Sequence, residues 1–193
     1  RLVRKNRATV NWNCDPAIRL NHTWRLRRRL FKSLLKHMSQ SKKRLWIISA
    51  YFVPDNMIMK RLIKAAKQGV DVKILVPQVS DVRPMAWISA SFYPVLLKHN
   101  VKIYEYHPSM MHAKTIIIDG LFLVGSSNLN HRSIFHDLEV DIQLQSEDAQ
   151  KTIVAQFEKD LLQSHQIFSH DITKRPFLTR LLGNFLSLFK HWL

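Results

Sequence analysis

An α/β domain, a mixed central sheet flanked by helices on both faces, follows from three features of this 193-residue chain. With 46% hydrophobic and 23% charged residues, the composition suits a globular chain with a sizeable core. Early in the chain, strand-type apolar runs alternate with helix-type periodicity. Later the strands follow one another directly, so parallel crossover units and antiparallel neighbours share one sheet.

The elements follow in order. Arg25, Arg27, Arg28, Arg29, Lys32 and Lys36 interleave with Leu26, Leu30, Phe31, Leu34 and Leu35, an apolar stripe at helical spacing with a solvated basic face. Arg44–Phe52 is a buried-strand type of run closed by Pro54. Asp55 predicts a helix cap, Met57, Ile58, Leu62, Ile63 and Ala66 supply the stripe, and Gly69 stops the helix. Val70–Val76 is the next strand, and residues 84–99 predict a helix that Pro94 kinks or breaks. Val101–Tyr106 reads as a strand; Ala113–Asp119 and Leu121–Gly125 flank a Gly120 turn as a hairpin. In Asp137–Leu144, Leu138, Val140, Ile142 and Leu144 share one face and Asp137, Glu139, Asp141 and Gln143 the other, which predicts a solvent-facing polar side. Glu147–His165 predicts an amphipathic helix.

Composition removes several classes. The four glycines are too scattered for a dinucleotide fingerprint or a P-loop. The single cysteine, Cys14, excludes an internal disulfide framework and multi-cysteine zinc sites, and is expected to be inert. No apolar run is long enough for a spanning helix. A start at Arg1, without a signal peptide, is expected of a fragment or processed product. The net charge of +16 is concentrated early: residues 1–44 hold fourteen Lys and Arg against Asp15 alone. Such a surface attracts polyanions, either nucleic acid or an anionic membrane.

The chemistry lies in His112-Ala-Lys-Thr-Ile-Ile-Ile-Asp-Gly-Leu-Phe-Leu-Val-Gly-Ser-Ser-Asn128. On a strand, His112 and Lys114 leave the same face, and Asp119 leaves the other. An imidazole is partly unprotonated at neutral pH and can attack phosphorus, while an ammonium neutralises the nonbridging oxygens of a phosphate diester. Ser126 and Asn128, sharing a face, can donate to the same oxygens. Glu139 can hold the His112 ring in one tautomer. Asp119, in an Asp-Gly turn pair, is expected to be structural. His131, His136, Asp137, Glu139 and Asp141 resemble a metal cluster only superficially; solvated polar residues are the expected account. Ser127 lacks the glycines of a nucleophile elbow. Arg132 is either a solvated charge or a phosphate contact.

These residues resemble the phospholipase D superfamily, whose motif is His-x-Lys-x4-Asp-x6-Gly-Ser-x-Asn with a carboxylate eleven residues past the Asn. His112, Lys114, Asp119, Gly125, Ser126, Asn128 and Glu139 match it, with one departure: five residues, not six, separate Asp119 from Gly125. A shorter hairpin turn must absorb the difference, or the strand after it changes face. Ala50–Pro54, residues 69–73, Ile103–Tyr106 and Asn128–Ser133 are similar to the carboxyl-terminal half of bacterial cardiolipin synthases. That resemblance implies a phospholipase-D-like lobe at residues 1–176 acting without metal or other cofactor. It implies transfer of a phosphatidyl group through a phosphohistidine, at the cytoplasmic face of the inner membrane, by two lobes that each carry one motif. One lobe's histidine is then the nucleophile and the other's the general acid; this chain holds one motif copy.

The implied partners are an anionic phospholipid, a membrane surface, and a second lobe or an identical subunit. The rivals are a single-motif phosphodiesterase or nuclease acting as a homodimer, with nucleic acid the less favoured substrate, and a noncatalytic membrane-binding lobe. Residues 177–193, with aromatic and leucine residues beside Arg180 and Lys190, predict an amphipathic terminal helix. It either lies in a bilayer interface, inserting Phe185, Leu186, Phe189 and Trp192, or docks on a protein surface.

Overall fold

The computed structural model describes residues 17–188; Cys14, Asp15 and the tail residues Phe189, Lys190 and Trp192 lie outside the described residues. A short strand, β1 (Ile18–Leu20), leads to α1 (Trp24–Gln40), capped by the Thr23 hydroxyl, which accepts the Leu26 N–H at 3.3 Å. β2 (Arg44–Ile48) follows. Asp55 caps α2 (Asn56–Lys67), accepting the Ile58 N–H at 2.7 Å, and Gly69 at φ +82° ends that turn of chain. After β3 (Asp71–Pro77), the expected broken helix appears as α3 (Arg83–Ser91) and α4 (Tyr93–Leu97). Pro94 sits in the first turn of α4, where its missing N–H has no helical partner to lose. β4 (Lys102–Tyr106), the hairpin β5 (Thr115–Ile118) and β6 (Leu121–Gly125), α5 (His131–Phe135), β7 (Val140–Gln143), α6 (Glu147–Leu162), β8 (Ser164–Ile167), α7 (Ser169–Lys174) and α8 (Phe177–Ser187) complete the order.

The strands form one mixed sheet, β1-β7-β6-β5-β2-β3-β4-β8, with β2, β3 and β4 parallel and the remaining pairs antiparallel. On one face Leu45, Ile47, Ile74 and Ile103 meet Phe31 and Leu35 of α1, Ile58 and Leu62 of α2, and Leu96 of α4. On the other, Trp46, Leu75, Ile117 and Phe122 meet α6, where Phe157 stacks on Trp46 at 4.9 Å.

The shortened hairpin is taken up in its turn. Ile118 pairs with Leu121 and Thr115 with Val124, leaving Asp119-Gly120 as a two-residue loop, and Gly125 still pairs with Asp141. Asp119 itself adopts φ +49°. The polar face of β7 is not solvent-facing as expected. Leu138, Val140 and Ile142 are exposed, while Glu139, Asp141 and Gln143 are half-buried. The cause is position: α6 covers the middle of the sheet and leaves the β1–β7 end of that face bare. On the opposite face the Ser127 and Ser133 hydroxyls donate to the Asp141 and Glu139 carboxylates, and Asn21 bonds the backbone of Asp137 and Glu139. The helix expected to reach His165 stops at Leu162, and Ser164–Ile167 pairs with β4 instead.

Candidate active site

The carboxyl ends of β2, β3 and β6 and the leading ends of β5 and β7 meet at one edge of the sheet. In an open α/β sheet this is where ligands are held. His112 and Lys114 lie in the extended lead-in to β5, one step outside its hydrogen-bonded ladder. The two side chains meet. Lys114 is buried, and its Nζ donates to the His112 carbonyl at 2.7 Å while lying 2.8 Å from Nδ1 and 3.3 Å from Nε2 of the exposed ring. An ammonium only donates, so the ring nitrogen that it bonds is one without a proton. Burial pulls the Lys114 pKa below its ordinary value, against the opposing charges of Glu139 and Asp81.

Two residues that sequence reasoning left without a role complete the setting of the ring. Tyr51 packs edge-on to His112 at 5.7 Å between centroids, and its hydroxyl donates to the Asp81 carboxylate at 2.8 Å. Desolvation, reinforced by the Asp81 hydrogen bond and charge, pushes the Tyr51 phenol up to about 12. The Tyr51 hydrogen bond in turn holds the Asp81 carboxyl below its usual range. Tyr51 falls in the Ala50–Pro54 segment already noted for its resemblance; Asp81, thirty positions away, carries no such signal.

Asn128 is buried beneath this loop. Its Oδ1 accepts the Tyr51 N–H at 3.1 Å, which leaves Nδ2 as its donor, and its own N–H donates to Ser133 Oγ at 2.9 Å. Ser126 does not share that inward position: β6 ends at Gly125, and the exposed Ser126 accepts the Val140 N–H on Oγ at 3.0 Å, extending the β6–β7 pairing. Gly125 is required there, because a Cβ would fall 2.2 Å from Asp141 Oδ1 and 2.3 Å from the Val140 carbonyl.

Glu139 departs from its expected role. Its carboxylate accepts from the Ser133 hydroxyl and lies near enough to Lys114 to favour the ammonium, but it makes no hydrogen bond to the His112 ring. The chain Asn128 N–H to Ser133 to Glu139 thus braces Asn128, and Asn21 holds the Glu139 backbone N–H at 2.7 Å. Asp119 lies at the far end of the hairpin, where it accepts the N–H groups of Lys42, Lys43 and Arg44 at 2.8–2.9 Å. Arg132 pairs with Asp137 at 3.1 Å, and Asp141 accepts from Ser127. Among the described residues, no group of three or more His, Cys, Asp or Glu side chains is placed to hold a metal ion.

Comparison with known proteins places this geometry. Residues 34–161 match the family model described as cardiolipin synthase, PLD-like domain. The chain is 38% identical over 160 residues to the cardiolipin synthase of Alkalihalophilus pseudofirmus, an alignment covering 82% of this chain and 31% of that protein. It therefore spans about a third of the length of the curated relatives it matches. Its fold is similar to Nuc of Salmonella typhimurium, a phospholipase D family member (TM-score 0.61, 19% identity, covering 73% of this chain and 91% of Nuc). It is also similar to the phosphatidylserine synthase of Haemophilus influenzae (TM-score 0.64, 17% identity, 85% of this chain and 45% of the synthase).

Proposed function

This chain belongs to the family of cardiolipin synthase PLD-like domains, and we propose that it is one lobe of a two-lobe phosphatidyltransferase. The observation that carries the reading is the contact of Lys114 with the exposed His112 ring, with Asn128 fixed beside them by Tyr51. The site is an edge rather than an enclosed pocket, and the sequence has no second His-x-Lys.

One imidazole attacks the phosphorus of a phosphatidyl donor. The bond to the leaving alcohol breaks with its electron pair on oxygen, and the other lobe's imidazolium protonates that oxygen. The phosphohistidine then passes the phosphatidyl group to an acceptor hydroxyl, whose proton returns to the second imidazole. His112 supplies one of these two rings. Lys114 and the Asn128 Nδ2 donor hold the nonbridging oxygens, with Ser126 at the rim. The second lobe covers the bare apolar end of the sheet, Ile18, Leu138, Val140 and Ile142, which adjoins Ser126 and Glu139. The whole works peripherally at an anionic membrane, on the cytoplasmic face that the family resemblance implies.

The test is assembly. The chain alone is expected to have negligible transfer activity until it pairs with itself or is joined to a second lobe, followed by light scattering and turnover of a fluorescent phosphatidylglycerol. A fully active monomer contradicts the two-lobe reading. Efficient cleavage of nucleic acid by a homodimer, with no lipid transfer, would replace it with the nuclease.

A further inference from the structure

α8 is amphipathic in the opposite sense to a core helix. Its buried position is Gly183, seated so closely on α3 that a Cβ there would meet the Trp87 carbonyl at 2.4 Å. Leu182 and Leu186 beside it are half-buried, and Trp87, Thr179, Arg180 and Asn184 help to line a cavity of about 250 Å³ at this seat. On the opposite side Phe177, Leu181, Phe185 and Leu188 form a stripe at helical spacing, joined by Leu178, all more than half exposed. The helix is also fixed at its entry. Arg175 donates to Glu105 at 2.7 Å and lies over the buried Tyr93 ring, whose hydroxyl donates to the same carboxylate.

We infer that the outward stripe of α8 is a membrane-docking face, lying at the headgroup–acyl boundary of an anionic bilayer. Charge selects this occupant. Residues 172–193 hold no acidic residue, and with Arg175 neutralised by Glu105 they still contain Lys174, Arg180 and Lys190, in a chain of net charge +16. A second copy would bring surfaces of like sign together; anionic headgroups are complementary. Arg180, half-buried where it lines the cavity, reaches to 6.0 Å from the Phe177 ring centroid, so its charge lies beside the first ring of the stripe. Val79 and Val82, on the loop before α3 that also holds Asp81, are exposed as well. On its other side α3 holds the Tyr51 loop, with Ser89 Oγ donating to the Phe52 carbonyl at 2.9 Å. Docking through α8 therefore sets the His112 edge in fixed relation to the lipid surface. The inference rests on the lipid reading for what docking serves, while the face itself is independent of the chemistry at His112.

The test is sedimentation with vesicles of phosphatidylglycerol and phosphatidylcholine, at low salt and at about 0.5 M salt, where charge attraction is screened. The unmodified chain is compared with Leu181→Gln/Phe185→Gln, which alters two exposed side chains and no charge. At high salt the unmodified chain stays bound and the variant partitions at least about tenfold more weakly, since two large apolar side chains no longer insert. At low salt the difference shrinks. His112→Ala binds like the unmodified chain, so loss of the chemical reading leaves this result standing. Equal binding of chain and variant at high salt, or release of both by salt, overturns the inference. So does a shift from dimer to monomer caused by the double substitution without vesicles, which would assign the face to a second copy.

Discussion

Asp119→Asn separates a motif carboxylate from the chemistry it accompanies. Asp119 Oδ1 accepts the N–H groups of Lys43 and Arg44 at 2.9 Å each, and Oδ2 that of Lys42 at 2.8 Å, tying the β5–β6 turn to the connection between α1 and β2. The left-handed φ of +49° suits asparagine as well as aspartate, so the backbone adds no penalty. The amide oxygen keeps at most two of the three bonds, the charge is lost, and an NH₂ turns toward the third donor. A hydrogen bond to a charged group is worth about 1.5–3 kcal/mol. Solvent exposure of two of the donors discounts the net loss to about 1–2 kcal/mol. For a chain of this size the melting temperature should fall by about 3–6 °C.

The sign of the pH dependence follows from the same contacts. Partial burial pushes the Asp119 carboxyl up, but the N–H groups of Arg44, Lys42 and Lys43 and the Arg44 charge outweigh it, so its pKa lies below the ordinary value. A depressed folded-state pKa gives stability that is present above the unfolded pKa and lost as pH falls through the folded one. The gap in melting temperature between the unmodified protein and Asp119→Asn should therefore be full at neutral pH and close in strong acid. Thermal unfolding followed by circular dichroism at several pH values measures it. Equal melting temperatures at neutral pH refute the reasoning, and so does a folded variant that has lost transfer activity.

Further outcomes concern the site. Gly125→Ala should lower stability by about 1–3 kcal/mol in thermal melts, because its Cβ meets Asp141 Oδ1 and the Val140 carbonyl at 2.2 and 2.3 Å and β6 and β7 must part. In the proposed two-lobe assembly, Tyr51→Phe keeps the ring against His112 but leaves Asp81 with only its Ser80 and Val82 bonds; turnover should fall by roughly tenfold, within what one hydrogen bond is worth. Lys114→Ala should cut turnover by about 10²–10³-fold. Because burial lowers the Lys114 pKa, the pH profile of the unmodified protein should lose activity on the alkaline side below the ordinary lysine value of 10.5, and Tyr51, at about 12, should remain protonated throughout.

The elements that local chemistry dictates were legible in the sequence. Asp55 and Gly69 bound α2, and Asp119-Gly120 closes the hairpin. The motif spacing and the His112–Lys114 contact were legible too, since two residues apart on extended chain share a side, whereas the partners of Ser126 and Glu139 were not. What escaped depends on tertiary placement. β1 and β8 are short edge strands without strict apolar alternation, so nothing local separates β8 from the end of the preceding helix. The alternation in β7 was visible, but which face would be covered depends on how far α6 reaches across the sheet. The partners of Tyr51 and Glu139 come from Asp81 and Asn21, distant in sequence and of residue types that are solvated at most positions. Asn128 and Ser126 separate because β6 ends at Gly125, a boundary fixed by the close approach of Asp141.

The most direct measurement of the central claim is the turnover of His112→Ala in the proposed two-lobe assembly, on a fluorescent phosphatidylglycerol, with vesicle binding and melting temperature followed in parallel. His112 is exposed, so its removal leaves the fold and the membrane face intact. Loss of transfer to background, with binding and melting unchanged, is the predicted result. Near-normal transfer by His112→Ala would mean that this edge of the sheet does not carry the chemistry.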